Sequence, residues 1–114
     1  MAAVCVFCAS STRVERRYLD LAREVGERLA AAGHSLVSGG GRVGMMGTLA
    51  AGARSGGAYT LGIIPDSLVR LEVADTLADE LVTTADMAER KVAMMAKADA
   101  FLILPGGIGT LDEL

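Results

Sequence analysis

The sequence contains no tryptophan, and aromatic residues make up only 4% of its 114 positions. Hydrophobic residues nevertheless reach 52%, so a core built from this chain is aliphatic. No apolar run approaches the roughly 20 residues that a membrane-spanning helix needs. There is no excess of positive charge either: 11 basic and 14 acidic residues give a net charge of −3. Nothing in the charge balance therefore indicates a nucleic acid or a membrane surface as partner.

The first residues, MAAVCVFCAS, lack the basic segment of a signal peptide. Their apolar run is short and rich in β-branched residues, which is typical of a buried strand. The closing LDEL is not the tetrapeptide that retains proteins in the endoplasmic reticulum. We therefore expect a cytoplasmic protein, with residues 1–114 forming a single domain.

Cysteine is also scarce, and the two that occur, Cys5 and Cys8, form a CxxC pattern that invites a redox or zinc interpretation. In a strand, however, this spacing places the side chains on opposite faces with Cα atoms about 10 Å apart. That distance is too long for a disulfide. We favour two buried thiols that act as small hydrophobic residues.

The pattern along the chain alternates between apolar strands and helices. A capping box at Thr12 and Glu15 predicts a first helix that ends at Gly33, and a second box at Asp86 and Glu89 predicts another that runs to about residue 98. A helix of small residues ends near residue 55. The predicted strands cover residues 3–9, 35–38, 59–64, 81–83 and 100–104.

This alternation predicts an α/β fold with a doubly wound parallel sheet. Its strands lack polar alternation, as expected of strands covered on both faces. The order of the strands does not follow from the pattern. Residues 67–79 are mixed in character and predict no regular element.

Two glycine-rich loops follow predicted strands and lead into helices. The first, SGGGRVGMMG, contains Gly39, Gly40, Gly41, Gly44 and Gly47. The second is PGGIGT, with Pro105 at its start. Ligands of open α/β sheets bind at the carboxyl ends of strands, where exposed amides and a helix dipole favour anions. Together the loops predict a site for a phosphorylated ligand.

Two alternatives to this interpretation stay open. Each loop can simply be a glycine-rich turn without a ligand. Residues 39–44 also match GxGxxG, and Asp66 lies at a suitable distance to bind a ribose, so a dinucleotide-binding oxidoreductase is a further hypothesis. No GxxxxGK[ST] motif occurs, which excludes a P-loop nucleotidase.

A carboxylate follows the second loop at Glu113. Thr110 and Glu113 form a capping box, so this side chain can serve only to cap a helix. Beside an anion site, the same carboxylate can stabilise positive charge on a ribose carbon or activate water. Asp112 is turned by about 100° around the helix from Glu113, so the two should not act as a paired acid and base.

The combination of SGGGRVGMMG, ERK at residues 89–91 and PGGIGTLDE resembles the LOG family of cytokinin riboside 5′-monophosphate phosphoribohydrolases, long mislabelled as lysine decarboxylases. The resemblance runs along the whole chain. It implies a Rossmann-like fold, a homodimer, an adenosine-type nucleoside monophosphate as substrate, and hydrolysis without a metal or redox cofactor. Family members continue beyond this point, so we expect a chain cut after its fifth strand, with an exposed edge.

By motif, the resemblance assigns catalysis to Arg90 and Glu113. It assigns substrate binding to a larger set. That set consists of Ser10, Gly39, Gly40, Gly41, Gly44, Gly47, Glu72, Arg90, Lys91, Gly106, Gly107, Ile108, Gly109, Thr110, Leu111 and Asp112. Ala9 and Asp112 depart from the usual glycine and glutamate of the family, which leaves the preferred base open.

Arg90 and the methionines each have a plainer interpretation. Asp86 and Arg90 are four residues apart on one helix, which is the spacing of an ordinary surface ion pair. The methionines Met45, Met46, Met87, Met94 and Met95 are expected in the core or at a subunit interface. A non-catalytic nucleotide-binding module is therefore a second hypothesis beside the hydrolase.

Overall fold

The computed structural model describes residues 1–8, 14–70 and 72–105, which form five strands and three α-helices. The strands are β1 (Ala3–Phe7), β2 (Ser35–Ser38), β3 (Thr60–Pro65), β4 (Glu80–Thr84) and β5 (Ala100–Ile103). The helices are α1 (Arg16–Ala31), α2 (Gly44–Ser55) and α3 (Met87–Lys97). Every predicted strand and helix that falls within the described residues is present, and most of the boundaries lie within two residues of their predicted positions. The helix predicted after the second glycine loop lies outside the described residues.

The start of α1 differs from the prediction. Glu15 was expected inside the helix as the second member of a capping box, but it is the N-cap residue, with extended backbone angles of φ −62° and ψ 148°. Its side chain makes no capping hydrogen bond and instead pairs with Arg17 at 3.0 Å. Thr12 lies outside the described residues. The helix ends as predicted, because Gly33 has a φ of 79°.

The start of α3 confirms its capping box. The Asp86 carboxylate accepts a hydrogen bond from the Glu89 amide at 2.8 Å. The Glu89 carboxylate in turn accepts a hydrogen bond from the amide of Ala85, at 3.4 Å. The first bond satisfies an amide of the first helical turn, which has no partner within the helix, and the second binds the residue that precedes the N-cap.

The five strands form one parallel sheet in the order β4-β3-β2-β1-β5. Successive strands are added on one side of β1 until β4, after which the chain crosses to the other side of β1. The switch point of the sheet therefore lies between β1 and β5. In open α/β sheets, ligands bind at the carboxyl edge near such a point.

Helices cover both faces of the sheet, which confirms the doubly wound fold. One core lies beneath α1 and α2 and includes Cys8, Leu36 and Leu49. The other lies beneath α3 and includes Cys5 and Met94. The two cysteines are thus buried in separate cores on opposite faces, with 0% and 2% of their surfaces exposed. This confirms their prediction as small core residues.

Strand β5 forms one edge of the sheet and is more exposed than the others. Phe101, Leu102 and Ile103 are 48%, 37% and 44% exposed, unlike the buried side chains of β2 and β3. Phe101 still stacks on Phe7 of β1, with 6.3 Å between the ring centroids. Among the described residues, no helix combines the length and the apolar character needed to cross a membrane.

Candidate functional site

The described part of the predicted site lies at the carboxyl ends of β2 and β3. The chain leaves β2 through Gly39, Gly40 and Gly41, all buried, and enters α2 at Gly44. Gly40 has a φ of 76°, which a side chain rarely tolerates. A Cβ on Gly62 of β3 would lie 2.8 Å from the Gly40 Cα, so both positions need glycine for the backbones to approach this closely.

The amides of the first glycine loop are not exposed as predicted. The Gly40 amide donates to the Ser38 hydroxyl at 3.3 Å, and the Gly41 amide donates to the sulfur of Met46 at 3.0 Å. The next amide, that of Arg42, donates to two backbone carbonyls. The prediction of a cradle of free amides at Gly40 and Gly41 is therefore wrong, because acceptors within the chain already occupy these groups.

Arg90 is the centre of the polar contacts at this edge. Its side chain extends from α3 and is almost completely buried, with the residue 3% exposed. Nε donates to the carbonyl of Ile63 at 3.0 Å, and Nη2 donates to the carbonyl of Gly39. Nη2 also contacts the Glu72 carboxylate at 3.0 Å. The surface ion pair with Asp86 is therefore not formed, because the guanidinium points inward to the strand ends.

The position of Arg90 explains the glycine at position 39. A Cβ on Gly39 would overlap the Arg90 guanidinium and lie 2.7 Å from the terminal methyl of Met46. The guanidinium therefore occupies the volume that a side chain at this position would need. Sequence reasoning predicted Gly39 and Arg90 as neighbours of one ligand, whereas the structure shows them in direct contact.

Residues 72–75, which we call the strap, pack along the glycine loop. The Arg42 amide donates to the carbonyls of Glu72 and Val73 at 2.9 and 2.8 Å. The Asp75 amide donates to the Gly40 carbonyl at 2.8 Å, and Gly41 forms an antiparallel bridge with Ala74. The strap therefore brings Glu72, which the family resemblance predicts as a binding residue, beside Arg90.

Sequence reasoning missed Asp75 and Arg54. The Asp75 carboxylate contacts the Arg54 guanidinium at 2.6 Å, and Asp75 is only 2% exposed. The two residues are 21 positions apart, in α2 and in a segment without a regular pattern. No periodicity or motif indicates such a pair, because Asp75 lies among residues 67–79, for which the sequence predicts no regular element.

Val73 in the strap has a φ of 50°, in the left-handed region that β-branched residues rarely occupy. The strap's backbone contacts with Arg42 hold it there. We expect Val73→Asn to raise the free energy of unfolding by about 0.5–1 kcal/mol, because asparagine tolerates this conformation. Thermal denaturation measures the change.

The matched control for this substitution is Thr83→Asn, at an exposed strand position. It should leave stability unchanged or lower it, because asparagine is a poor strand residue. Equal effects of the two substitutions would contradict strain at Val73.

The other predicted site residues are distributed as follows. Gly44 begins α2 and Gly47 lies in its first turn. Lys91 follows Arg90 on α3, is partly exposed, and makes no hydrogen bond or ion pair with a described residue. Ser10, Gly106, Gly107, Ile108, Gly109, Thr110, Leu111, Asp112 and Glu113 lie outside the described residues.

The methionines divide into two groups. Met45, Met46 and Met94 are 0–3% exposed and fill the two cores, as predicted. Met87 and Met95 are 48% and 54% exposed on the outer side of α3. Three of the five methionines are therefore core residues, and the two others lie on an exposed helical surface, where their place at a subunit interface stays a prediction.

One perturbed group lies far from this site. The pKa of Tyr59 is raised, chiefly because its hydroxyl donates a hydrogen bond to the Glu80 carboxylate at 3.0 Å. Tyr59 precedes β3 and Glu80 begins β4, so the pair lies at the amino edge of the sheet. It is therefore at the opposite end of the strands from Arg90.

The dinucleotide hypothesis fits this geometry poorly. Asp66 follows β3 and is exposed, as that hypothesis requires. The GxGxxG loop, however, follows β2, whereas the switch point lies between β1 and β5. The fingerprint loop of dinucleotide-binding folds sits at the switch point, with its amides facing the pyrophosphate. Here the loop is one strand away, and the amides of Gly40, Gly41 and Arg42 already donate to acceptors within the chain.

The fold and this edge define a doubly wound α/β protein with a glycine-lined loop at the carboxyl ends of its strands. A family model described as "Possible lysine decarboxylase" matches residues 46–114. The chain belongs to this family, and the resemblance stated from its motifs is confirmed.

Curated relatives carry a more specific name than the family model. The chain is 51% identical over 111 residues to a Mycobacterium tuberculosis protein named cytokinin riboside 5′-monophosphate phosphoribohydrolase. It is 41% identical over 111 residues to the Arabidopsis thaliana protein of that name designated LOG1. Each match covers 97% of this chain, which spans 59% and 52% of the respective relatives.

Solved structures show the same fold. A structural-genomics target matches with a TM-score of 0.78 and 29% identity, covering 99% of this chain and 66% of that one. The molybdenum cofactor binding protein of Rippkaea orientalis matches with a TM-score of 0.82 and 24% identity, covering 97% and 66%. At this identity the second likeness concerns the fold alone.

Proposed function

We propose that this protein is a hydrolase that cleaves the N-glycosidic bond of an N6-substituted adenosine 5′-monophosphate in the cytoplasm. The products are the free base and ribose 5-phosphate, so the reaction is of the cytokinin-activating type. The observation that carries the proposal is the 51% identity, over 97% of the chain, to a relative named for this activity. The contacts of Arg90 with the glycine loop support it.

The chemistry requires a group that tolerates positive charge on the sugar. As the bond between the ribose anomeric carbon and the base breaks, the base leaves with the bonding electron pair and takes up a proton. Water adds to the anomeric carbon and loses a proton. The transition state has oxocarbenium character. In this proposal the Glu113 carboxylate, assigned by motif, stabilises that charge or activates the water.

Arg90 can reach a substrate through one part of its guanidinium. Nε and Nη2 already donate to Ile63, Gly39 and Glu72. Within the described part of the chain, Nη1 contacts only the sulfur of Met87, at 3.7 Å, and has no oxygen acceptor. A guanidinium has five N–H donors in a rigid arrangement. We therefore assign to Nη1 the contact with the nucleotide, with the other nitrogens holding the group in place.

The glycine loops and Lys91 complete the proposed site. The Gly40 and Gly41 amides already donate within the chain, so these glycines shape the floor of the site, and the Gly39 carbonyl holds Arg90. The phosphate is then bound by the second loop, residues 106–110, beside the helix that the sequence predicts after it. Lys91 supplies a positive charge from α3.

Product analysis tests the reaction itself. The purified protein is incubated with AMP and its N6-substituted analogues in the presence of a chelator, and the products are separated by chromatography. We expect free base and ribose 5-phosphate in equal amounts without added metal. If no nucleotide yields free base, the protein is not a phosphoribohydrolase.

Glu113→Gln separates the hydrolase from a non-catalytic nucleotide-binding module. Glutamine can keep a capping box with Thr110 but cannot supply the negative charge. We expect kcat to fall by about 100-fold or more, with AMP binding and thermal stability retained. Unchanged turnover would mean that Glu113 is only a cap, and binding without turnover in the unaltered protein would favour the module.

We also propose that the protein forms a homodimer and that the outer side of α3 lies in the interface. Val92, Met87 and Met95 are 67%, 48% and 54% exposed there. These three apolar side chains lie on one side of α3, and exposed apolar residues grouped in this way are typical of an interaction surface. A second copy of α3 offers a complementary apolar surface with the same arrangement, as a two-fold interface requires.

Substitution of these apolar residues of α3 tests the dimer. We expect Val92→Glu and Met95→Glu to shift the protein to a monomer in light scattering, because each buries a carboxylate in an apolar contact. Leu77→Glu is the matched control, since Leu77 is 66% exposed and lies outside α3. An unchanged mass for all three variants would place the interface elsewhere.

A further inference from the structure

The strap is held at both ends by ion pairs, and only one of them lies at the proposed site. At its start, Glu72 contacts Arg90 at 3.0 Å. At its end, the Asp75 carboxylate accepts a hydrogen bond from Nη1 of Arg54 at 2.6 Å and another from the Leu77 amide at 3.2 Å. Arg54 belongs to the last turn of α2, away from Arg90.

Asp75 joins this second ion pair to the glycine loop. Its side chain is 3% exposed, and the Arg54 side chain is 21% exposed. Its backbone amide donates to the Gly40 carbonyl at 2.8 Å, next to the antiparallel bridge between Gly41 and Ala74. Among the described residues, the carboxylate contacts Arg54 and the Leu77 amide, and neither belongs to the predicted substrate-binding set. Within this part of the chain, Asp75 is joined to the glycine loop through its backbone amide.

A buried carboxylate needs a partner, and here most of that requirement is met by one guanidinium. If the guanidinium is removed, the carboxylate of Asp75 is unpaired, and its movement toward water lowers the free energy of the protein. Such a movement lengthens the hydrogen bond to Gly40 and pulls on the strap. Glu72 precedes Asp75 by three residues, so the same movement changes the position of the Glu72 carboxylate against Arg90.

We propose that Arg54 and Asp75 are positioning residues for the nucleotide site. Their ion pair fixes the end of the strap, and the strap holds Glu72, Arg90 and the glycine loop in the arrangement that turnover requires. This inference rests on the proposed function, and neither residue touches the substrate. It assigns a role in the reaction to a pair remote from every sequence motif.

The test uses Asp75→Asn and Arg54→Gln in the purified protein, with hydrogen exchange and kinetics measured on each. We expect amide exchange at residues 40–42 and 72–75 to become about 10-fold faster or more, while the Leu36 amide in the core stays unchanged. With AMP as substrate, we expect kcat to fall about 10-fold and KM to change less than threefold.

Two further variants separate positioning from general stability. Arg54→Lys keeps the charge and one hydrogen bond to Asp75, so it should restore kcat to within about threefold of the unaltered protein. Arg28→Gln removes an exposed ion pair with Glu24, 2.8 Å long, on α1. That control should alter neither exchange in the strap nor turnover, because exposed pairs of this kind contribute little.

Several outcomes would overturn the inference. Unchanged exchange at residues 72–75 in both variants would show that the ion pair does not hold the strap. Faster exchange with unchanged kcat would reduce the pair to a structural role. Should Asp75→Asn fail to fold, Arg54→Gln decides, since the Arg54 side chain is partly exposed.

The proposed function can fail separately. If the unaltered protein releases no base from any nucleotide, the hydrolase proposal is wrong, and the Kd for AMP replaces kcat as the readout. A 10-fold weaker Kd in both variants would then support positioning of a binding site. An unchanged Kd would overturn it.

Discussion

Replacing Arg90 with methionine is expected to lower the free energy of unfolding by about 3–5 kcal/mol, because it removes one partner of a buried ion pair. The guanidinium also donates to the carbonyls of Ile63 and Gly39, which the methionine side chain cannot replace. Buried carbonyls that lose their donors add to the cost. Since small domains are stable by about 5–15 kcal/mol, this single change removes a large part of the total.

Urea denaturation measures the effect of Arg90→Met, with Lys97→Met as the control on the same helix. Lys97 is exposed in the last turn of α3, so its substitution should change stability by less than about 0.5 kcal/mol. Arg90→Lys should fall between the two, because an ammonium group can keep only some of the three contacts. Equal stabilities of Arg90→Met and Lys97→Met would contradict the buried network.

Replacing Gly26 with alanine is expected to lower the free energy of unfolding by about 2 kcal/mol or more. Gly26 lies in α1 where it crosses α2, and a Cβ there would overlap the Leu49 carbonyl and lie 2.7 Å from the Ala53 amide nitrogen. Both are backbone atoms, so no side chain can move aside. The two helices would have to separate, which opens the aliphatic core beneath them.

Helix propensity alone predicts the opposite change in the free energy of unfolding for Gly26→Ala. Alanine stabilises a helix interior by about 1 kcal/mol relative to glycine, so Gly26→Ala would be stabilising if only α1 mattered. Glu27→Ala, at the adjacent exposed position, is the control and should leave stability nearly unchanged. Thermal denaturation of both variants distinguishes the effects, and a higher Tm for Gly26→Ala would show that the helices are not in close contact.

The elements of the fold were predictable because local patterns determine them. Each buried strand is a short apolar run, and the glycine at position 33 ends a helix as its positive φ requires. The capping box at Asp86 marked the start of α3, since its hydrogen bonds join residues three apart. The same pattern failed at Glu15, whose backbone is extended, because the spacing of residue types does not determine φ and ψ.

The sequence predicted which residues form the site, but it did not predict which atoms they contact. Motifs identified Gly39, Glu72 and Arg90, and the structure brings all three together. The spacing of Asp86 and Arg90 predicted a surface pair, but the strand-end carbonyls of the neighbouring elements bind the guanidinium instead. Glycine content predicted open amides, yet Ser38 and Met46 accept hydrogen bonds from them.

By itself the sequence determined the class of fold, the succession of strands and helices, and the family, because these depend on periodicity and on motifs of a few adjacent residues. Tertiary structure alone decided the strand order, the inward turn of Arg90, and the pairing of Arg54 with Asp75. The contact of Arg54 with Asp75 joins residues 21 positions apart, and that of Arg90 with Gly39 joins residues 51 positions apart. Burial selects such partners: a charge removed from water must find its counterion or carbonyl wherever the packed elements bring one within reach.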